Sequence, residues 1–73
     1  MERRLILRFI ATGPSASRTE GEIVSFINSH GGMPYLEFGG LMRVGLLEAL
    51  PQNRYMLSLK GYKTLREKTS ILP

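Results

Sequence analysis

Apolar residues in the first part of the chain recur at the spacing of an α-helix. Two pairs, each four positions apart, form a single stripe: Leu5 with Phe9, and Ile6 with Ile10. The Gly13-Pro14 pair that follows is a strong stop signal for a helix. The pattern therefore predicts a helix over residues 1–12 that turns this stripe toward the core.

Two overlapping capping-box patterns mark the start of a second predicted helix. In both, Ser or Thr is followed three residues later by Glu: Ser17 with Glu20, and Thr19 with Glu22. The helix should begin between residues 17 and 19 and end at His30-Gly31-Gly32, where a glycine can adopt the left-handed conformation. The side chains expected to point inward are Ile23, Val24, Phe26 and Ile27.

Residues 33–44 combine helical spacing with a glycine pair that opposes a helix. Three positions lie three and four residues apart and can share the inner face: Phe38, Leu41 and Gly45. Gly39 and Gly40 each cost a helix about 1 kcal/mol relative to alanine. We expect this cost to have a reason. Either another backbone packs closely there, or the outer surface contacts a ligand or a partner.

After Gly45 the hydrophobic period changes to that of β-strands. Two short runs, residues 46–50 and 54–59, flank Pro51-Gln52-Asn53, whose residue types favour a tight turn. In the second run the side chains expected on the buried face alternate with the others: Tyr55, Leu57 and Leu59. The pattern predicts a hairpin, with Leu46 and Leu57 closing the core.

Ser58 is well placed to cap a last helix over about residues 59–68. Tyr62 and Leu65 are expected to face inward, and residues 69–73 to fray.

The residue inventory limits the chemistry of the chain, which has 73 residues, no cysteine and one histidine. Neither a disulfide nor a thiolate metal site is possible, and such a composition favours a reducing, cytoplasmic setting. His30 has no second ligand at useful spacing, so we expect it to serve the end of its helix. The sequence predicts one small domain over residues 1–73, not an enzyme, with no cofactor and no metal.

Basic residues concentrate toward the two ends of the chain. Residues 1–8 hold three Arg and one Glu, residues 9–53 two Arg and four Glu, and residues 54–73 five Lys or Arg and one Glu. A bound polyanion should therefore be held chiefly by the ends. A basic amphipathic membrane anchor at residues 1–12 is a weaker alternative because the apolar stripe is short. No apolar run approaches the roughly 18 residues that span a bilayer, so no membrane partner is expected.

One motif links the predicted hairpin to the last helix. It runs Gly45-Leu46-Leu47, then Arg54-Tyr55-Met56-Leu57-Ser58-Leu59-Lys60-Gly61, then Leu65. This stretch resembles the winged helix-turn-helix superfamily of small bacterial, archaeal and viral regulators, where a Tyr-x-Leu-Thr-x-Lys-Gly run follows the wing; Ser58 replaces the usual threonine. The resemblance extends over roughly residues 3–68. It implies an α+β fold with a three-helix helix-turn-helix core, a short two-stranded wing and a C-terminal helix.

In that superfamily the third helix enters the major groove of DNA. The resemblance thus implies a transcriptional regulator that binds double-stranded DNA, with contacts from the following residues: Arg18, Tyr35, Arg43, Gln52, Asn53, Arg54, Lys60 and Lys63. Arg43 is the one cation on the predicted outer face of the third helix, which carries no Asn, Gln, Ser or Thr. Most contacts to DNA base edges come from Arg, Lys, Asn and Gln side chains. With one such residue, this face is poorly equipped to recognise a DNA sequence.

The same outer face favours an alternative, a protein-interaction module that docks onto a larger complex as an accessory or viral factor. Its residues are Tyr35, Leu36, Gly39 and Gly40. A glycine pair lets another backbone approach, and tyrosine is a frequent interface anchor. A homodimer is a further alternative, because a chain this short has a marginal core, and Ile71 and Leu72 are candidate contacts.

Overall fold

Four α-helices and a three-stranded antiparallel sheet enclose one apolar core in the computed structural model, which describes residues 1–67. The elements are α1 (Arg3–Ala11), a 3-10 turn (Pro14–Ala16), β1 (Ser17–Thr19), α2 (Glu20–Ser29), α3 (Pro34–Arg43), β2 (Leu47–Leu50), β3 (Arg54–Leu57) and α4 (Leu59–Arg66). The predicted α+β class, the helices and the hairpin are confirmed. The end of the last predicted helix at Lys68, the tail at 69–73 and the contacts of Ile71 and Leu72 lie outside the described residues.

The sheet contains a strand that the sequence pattern did not predict. Its order is β1-β3-β2, and β3 pairs antiparallel with both neighbours. The β1 residue Ser17 lies opposite Met56 and is only 1% exposed, so of the two capping patterns only the one at Thr19 begins α2. A run of three polar residues shows no strand periodicity, and β1 exists because β3 offers it an edge.

The core draws on α1, α2, α3 and both hairpin strands, and Tyr62 and Leu65 of α4 pack against it half-buried, on the inward side predicted for them. Its fully buried apolar residues are Ile6, Leu7, Ile10, Ile23, Ile27, Leu41, Leu46, Leu47 and Leu57. The predicted closure by Leu46 and Leu57 is confirmed. The predicted stripe on α1 is rotated, because Leu7 is buried in place of Leu5, which is 39% exposed.

Local capping signals set the helix ends. The Thr19 hydroxyl accepts from the backbone N–H of Glu22 at 3.1 Å, and the Glu22 carboxylate accepts from the Thr19 N–H at 2.9 Å. That backbone hydrogen bond holds the pKa of Glu22 below its ordinary value. At the other ends of α2 and α3, Gly31 and Gly45 both have φ +78°, the left-handed conformation that closes a helix.

Hydrogen bonds define the hairpin turn and the start of α4. At the turn, Gln52 and Asn53 have φ values of 65° and 58°, and the Asn53 carbonyl accepts from the Glu20 N–H at 2.8 Å. Ser58 caps α4 as predicted, accepting from the Gly61 N–H at 3.1 Å. Leu59 begins α4 and is 81% exposed, so its prediction as a buried strand residue is wrong.

Candidate functional surface

The outer surface of α3 is unusually apolar for a solvent-facing helix. Tyr35 is 90% exposed and Leu36 is 61% exposed. Together with Gly39 and Gly40 one turn later, these residues form what we call the α3 ridge. Met33, Met42 and Val44, at the ends of the same helix, are also exposed. Five of the eight large exposed apolar residues found within residues 1–67 therefore belong to α3 or its caps.

The glycines of the α3 ridge are not required by the packing of the chain itself. A Cβ atom added at Gly39 or Gly40 would have no atom within 4 Å apart from its chain neighbours and the backbone of its own helix, and neither residue has a positive φ. Of the two alternatives for the glycine pair, a close approach by another backbone is not found within residues 1–67. The helix thus bears a cost of about 1 kcal/mol per glycine for which the folded part of the chain, residues 1–67, offers no reason.

A groove runs along each side of the α3 ridge. The groove toward α2 has a volume of about 430 Å³ and is lined by Glu20, Val24, Pro34, Tyr35, Phe38, Gly39 and Met42. The groove toward α1 has a volume of about 340 Å³ and is lined by Arg3, Ile6, Met33, Leu36, Glu37, Gly40 and Leu41. The groove toward α2 therefore holds one carboxylate, Glu20, and the groove toward α1 holds both Arg3 and Glu37.

Three predicted DNA-contact residues converge where α3 ends and α4 begins. Lys60 Nζ donates to the Val44 carbonyl at 3.1 Å, so this side chain reaches the residue that follows Arg43 in the chain. Lys63 follows Lys60 by three residues, on the same face of α4. We call Arg43, Lys60 and Lys63 the basic corner. None of the three is paired with a carboxylate within residues 1–67, where the ion pairs are Met1 with Glu37 and Arg4 with Glu2.

Arg3 extends the basic corner along the α1 side of α3. Arg3 lines the groove beside Leu36 and Gly40, and Arg43 lies three residues beyond Gly40 on the same stripe of the helix. The sequence showed that residues 1–8 are basic, but no local signal placed Arg3 beside α3. Only the packing of α1 against the rest of the core does so.

Two other predicted DNA-contact residues are bonded into the fold. Arg18 Nε donates to the Phe9 carbonyl at 2.8 Å, and its guanidinium lies 4.0 Å from the centre of the Phe9 ring. Arg54 Nε donates to Ser17 Oγ at 3.0 Å, and Arg54 Nη2 donates to the Ser17 carbonyl at 3.2 Å. We call Arg18 and Arg54 the arginine clamp, because they connect α1, β1 and β3.

The clamp and the basic corner occupy opposite ends of the hairpin. Arg54 begins β3, whereas Lys60 follows its end, and a strand rises about 3.3 Å per residue. Gln52 and Asn53 are exposed at the turn, beside the acidic first turn of α2 that holds Glu20 and Glu22. The eight predicted contacts therefore do not form one surface. Tyr35 lies on the ridge, three residues form the corner, and the other four lie at the clamp end.

His30 lies at the end of α2, as expected from its position. Its Nδ1 is 2.9 Å from the Phe26 carbonyl, and its ring packs on Phe26, which stacks on Phe9 with the centroids 4.2 Å apart. No set of three His, Asp or Glu side chains in residues 1–67 could hold a metal ion. Nor does any helix of that range have the length and apolar character needed to cross a membrane.

Comparison with known proteins yields no relative: no family model, no curated protein and no solved structure matches this chain.

Proposed function

We propose that this chain is a winged-helix domain that binds duplex DNA as a cytoplasmic transcriptional regulator. The element order supports the fold, because α2 and α3 take the places of a helix-turn-helix pair and β2–β3 takes the place of a wing. The strand order β1-β3-β2 is compatible with that arrangement, since it sets the second strand of the wing beside β1.

The observation that carries the DNA-binding proposal is the convergence of the basic corner. Arg43 and Lys60 come from segments 17 residues apart, yet the Lys60–Val44 hydrogen bond joins their helices. Cations without carboxylate partners bind phosphates by charge, and such contacts supply most non-specific affinity. With Arg3 the surface offers four cations, so log affinity should fall with log salt with a slope of about −3 to −4.

We expect the binding to depend little on DNA sequence. Arg43 is the one side chain of α3 suited to read a base edge, while the rest of the ridge is apolar. Affinity for random duplex should therefore lie in the range of non-specific complexes, with a Kd of about 10⁻⁴ to 10⁻⁶ M at physiological salt.

A titration of random-sequence duplex with three single variants tests the proposed surface. Arg43→Ala and Lys63→Ala should each lower the salt slope by about 1, because each removes one phosphate contact. Arg8→Ala removes one exposed cation from the last turn of α1, away from the corner, and should leave the slope unchanged. Equal losses in all three variants would contradict a localised surface, and no binding at low salt would remove the proposal.

The α3 ridge favours a second candidate function, protein docking. Its exposed tyrosine and its open glycines suit an interface core better than a contact with phosphates. A regulator could use both surfaces, because the ridge and the basic corner are made of different side chains.

A further inference from the structure

We infer that the α3 ridge is an interface between two copies of this chain. The inference goes beyond DNA binding and does not depend on it. It starts from the shape of the ridge, where two bulky exposed side chains are followed one turn later by two glycines: Tyr35 and Leu36, then Gly39 and Gly40. Residues four apart lie on the same helix face, so a hollow at Gly39 follows the projection of Tyr35, and a hollow at Gly40 follows that of Leu36.

This shape is complementary to itself. Consider a two-fold axis that lies against the outer face of α3, perpendicular to the helix and level with the midpoint between Glu37 and Phe38. It sets Tyr35 and Leu36 of each copy against the glycine pair of the other copy. An isologous interface requires that one patch match itself in this way. The two helices then run antiparallel, and the room above Gly39 and Gly40 lets them approach closely.

The carboxylate nearest the proposed axis is already paired within its own copy. Glu37, which lies next to the proposed axis, is paired with the amino group of Met1 at 3.4 Å. Arg43 lies between five and six residues beyond the proposed two-fold axis, so the two copies of Arg43 stand at opposite ends of the contact, about 17 Å apart along the helix direction. The basic corners stay exposed at both ends.

The apolar area sets the expected strength of the dimer. Tyr35 and the other exposed apolar residues of α3 offer on the order of 500 Å² per copy, where a standard interface takes about 800 Å². That area is at the upper end of the largest apolar patch on a typical monomer. We therefore expect a dimer that dissociates in the micromolar range, not an obligate one.

Analytical ultracentrifugation without DNA, from about 5 µM to 1 mM protein, tests the inference. The wild type should shift from monomer to dimer across this range. Gly39→Leu fills the hollow and Tyr35→Ala removes the projection, so each should raise the dimer Kd at least tenfold. Leu59→Ala is the matched control, because it removes an exposed leucine that is not on the ridge and should leave the Kd unchanged.

Folding and DNA binding are followed separately. Gly39→Leu adds a good helix former where a Cβ has open space, so circular dichroism should show an intact fold. Arg43→Ala should dimerise like the wild type even where it weakens DNA binding. A wild type that stays monomeric at 1 mM, or a dimer that tolerates both ridge variants, or a loss of equal size in Leu59→Ala, would overturn the inference.

Discussion

Two sides of this domain use the same residue types in opposite ways. At the clamp end, the half-buried Arg18 and Arg54 donate hydrogen bonds to backbone carbonyls and to Ser17, whereas the side chain of Arg43 in the basic corner is exposed. The glycines divide similarly. Gly61 lies under the Leu46 carbonyl with no room for a Cβ, while Gly39 on the ridge has open space. The clamp arginines and Gly61 therefore stabilise the fold, whereas Arg43 and Gly39 face solvent and are available for contacts with partners.

The largest expected effect separates the two kinds of glycine. Gly61→Ala should lower the free energy of unfolding by about 1–3 kcal/mol, because its Cβ would collide with the Leu46 carbonyl. Gly40→Ala should raise it by up to about 1 kcal/mol, because the new methyl group meets nothing and favours the helix. Urea denaturation measures both values. If the two variants lost similar amounts of unfolding free energy, the distinction between a packed and an open glycine would be wrong.

The second effect separates the two kinds of arginine. Arg54→Ala should cost about 1.5–3 kcal/mol, because it removes charged hydrogen bonds to Ser17, whose side chain is buried. Arg43→Ala, at an exposed site, should change stability by less than about 0.5 kcal/mol. The same denaturation experiment serves as the readout. A destabilised Arg43→Ala or a fully stable Arg54→Ala would show that the clamp and the corner are misidentified.

A conservative change sharpens the comparison at the clamp. Arg18→Lys keeps the charge but loses the Nε–H donor and the planar contact with Phe9, so a cost of about 1 kcal/mol is expected. Lys63→Arg in the corner is the control, because phosphate binding by charge accepts either cation. Thermal unfolding would follow the first variant and DNA titration the second. If Arg18→Lys unfolds at the same temperature as the wild type, the contribution of Arg18 to stability depends on its charge alone.

The smallest effect concerns pH and the start of α2. Because the pKa of Glu22 in the fold lies below its ordinary value of 4.5, its carboxylate stabilises the fold above that pH. This contribution is lost as the pH falls through the folded pKa. Glu22→Gln should therefore flatten the stability profile below about pH 4.5. If the free energy of unfolding of Glu22→Gln followed that of the wild type down to pH 2, the carboxylate of the capping box would add no measurable stability.

Local signals predicted most of the elements. The Thr19–Glu22 capping box, the stop at Gly45 and the cap at Ser58 each act within four residues, and each appears in the structure. The contrast with Ser17 is instructive, because its capping pattern is as good as that of Thr19. Pairing with β3 decides between them, and no local pattern reports a partner 39 residues away.

The candidate surface was less predictable than the fold. A count of charges identified ten cations but could not distinguish Arg54, bonded to Ser17, from Arg43. Only tertiary packing separates a cation that holds strands together from one that faces solvent. The α3 ridge was predictable, since helical spacing alone placed Tyr35 and Gly39 on the outer face.

The salt dependence of DNA binding tests the central claim, a localised basic corner, most directly. Random duplex would be titrated at several salt concentrations with the wild type and with the double variant Arg43→Ala/Lys63→Ala. Two phosphate contacts are removed, so the slope of log affinity against log salt should become shallower by about 2. Slopes that coincide, with both proteins binding equally well, would contradict the claim.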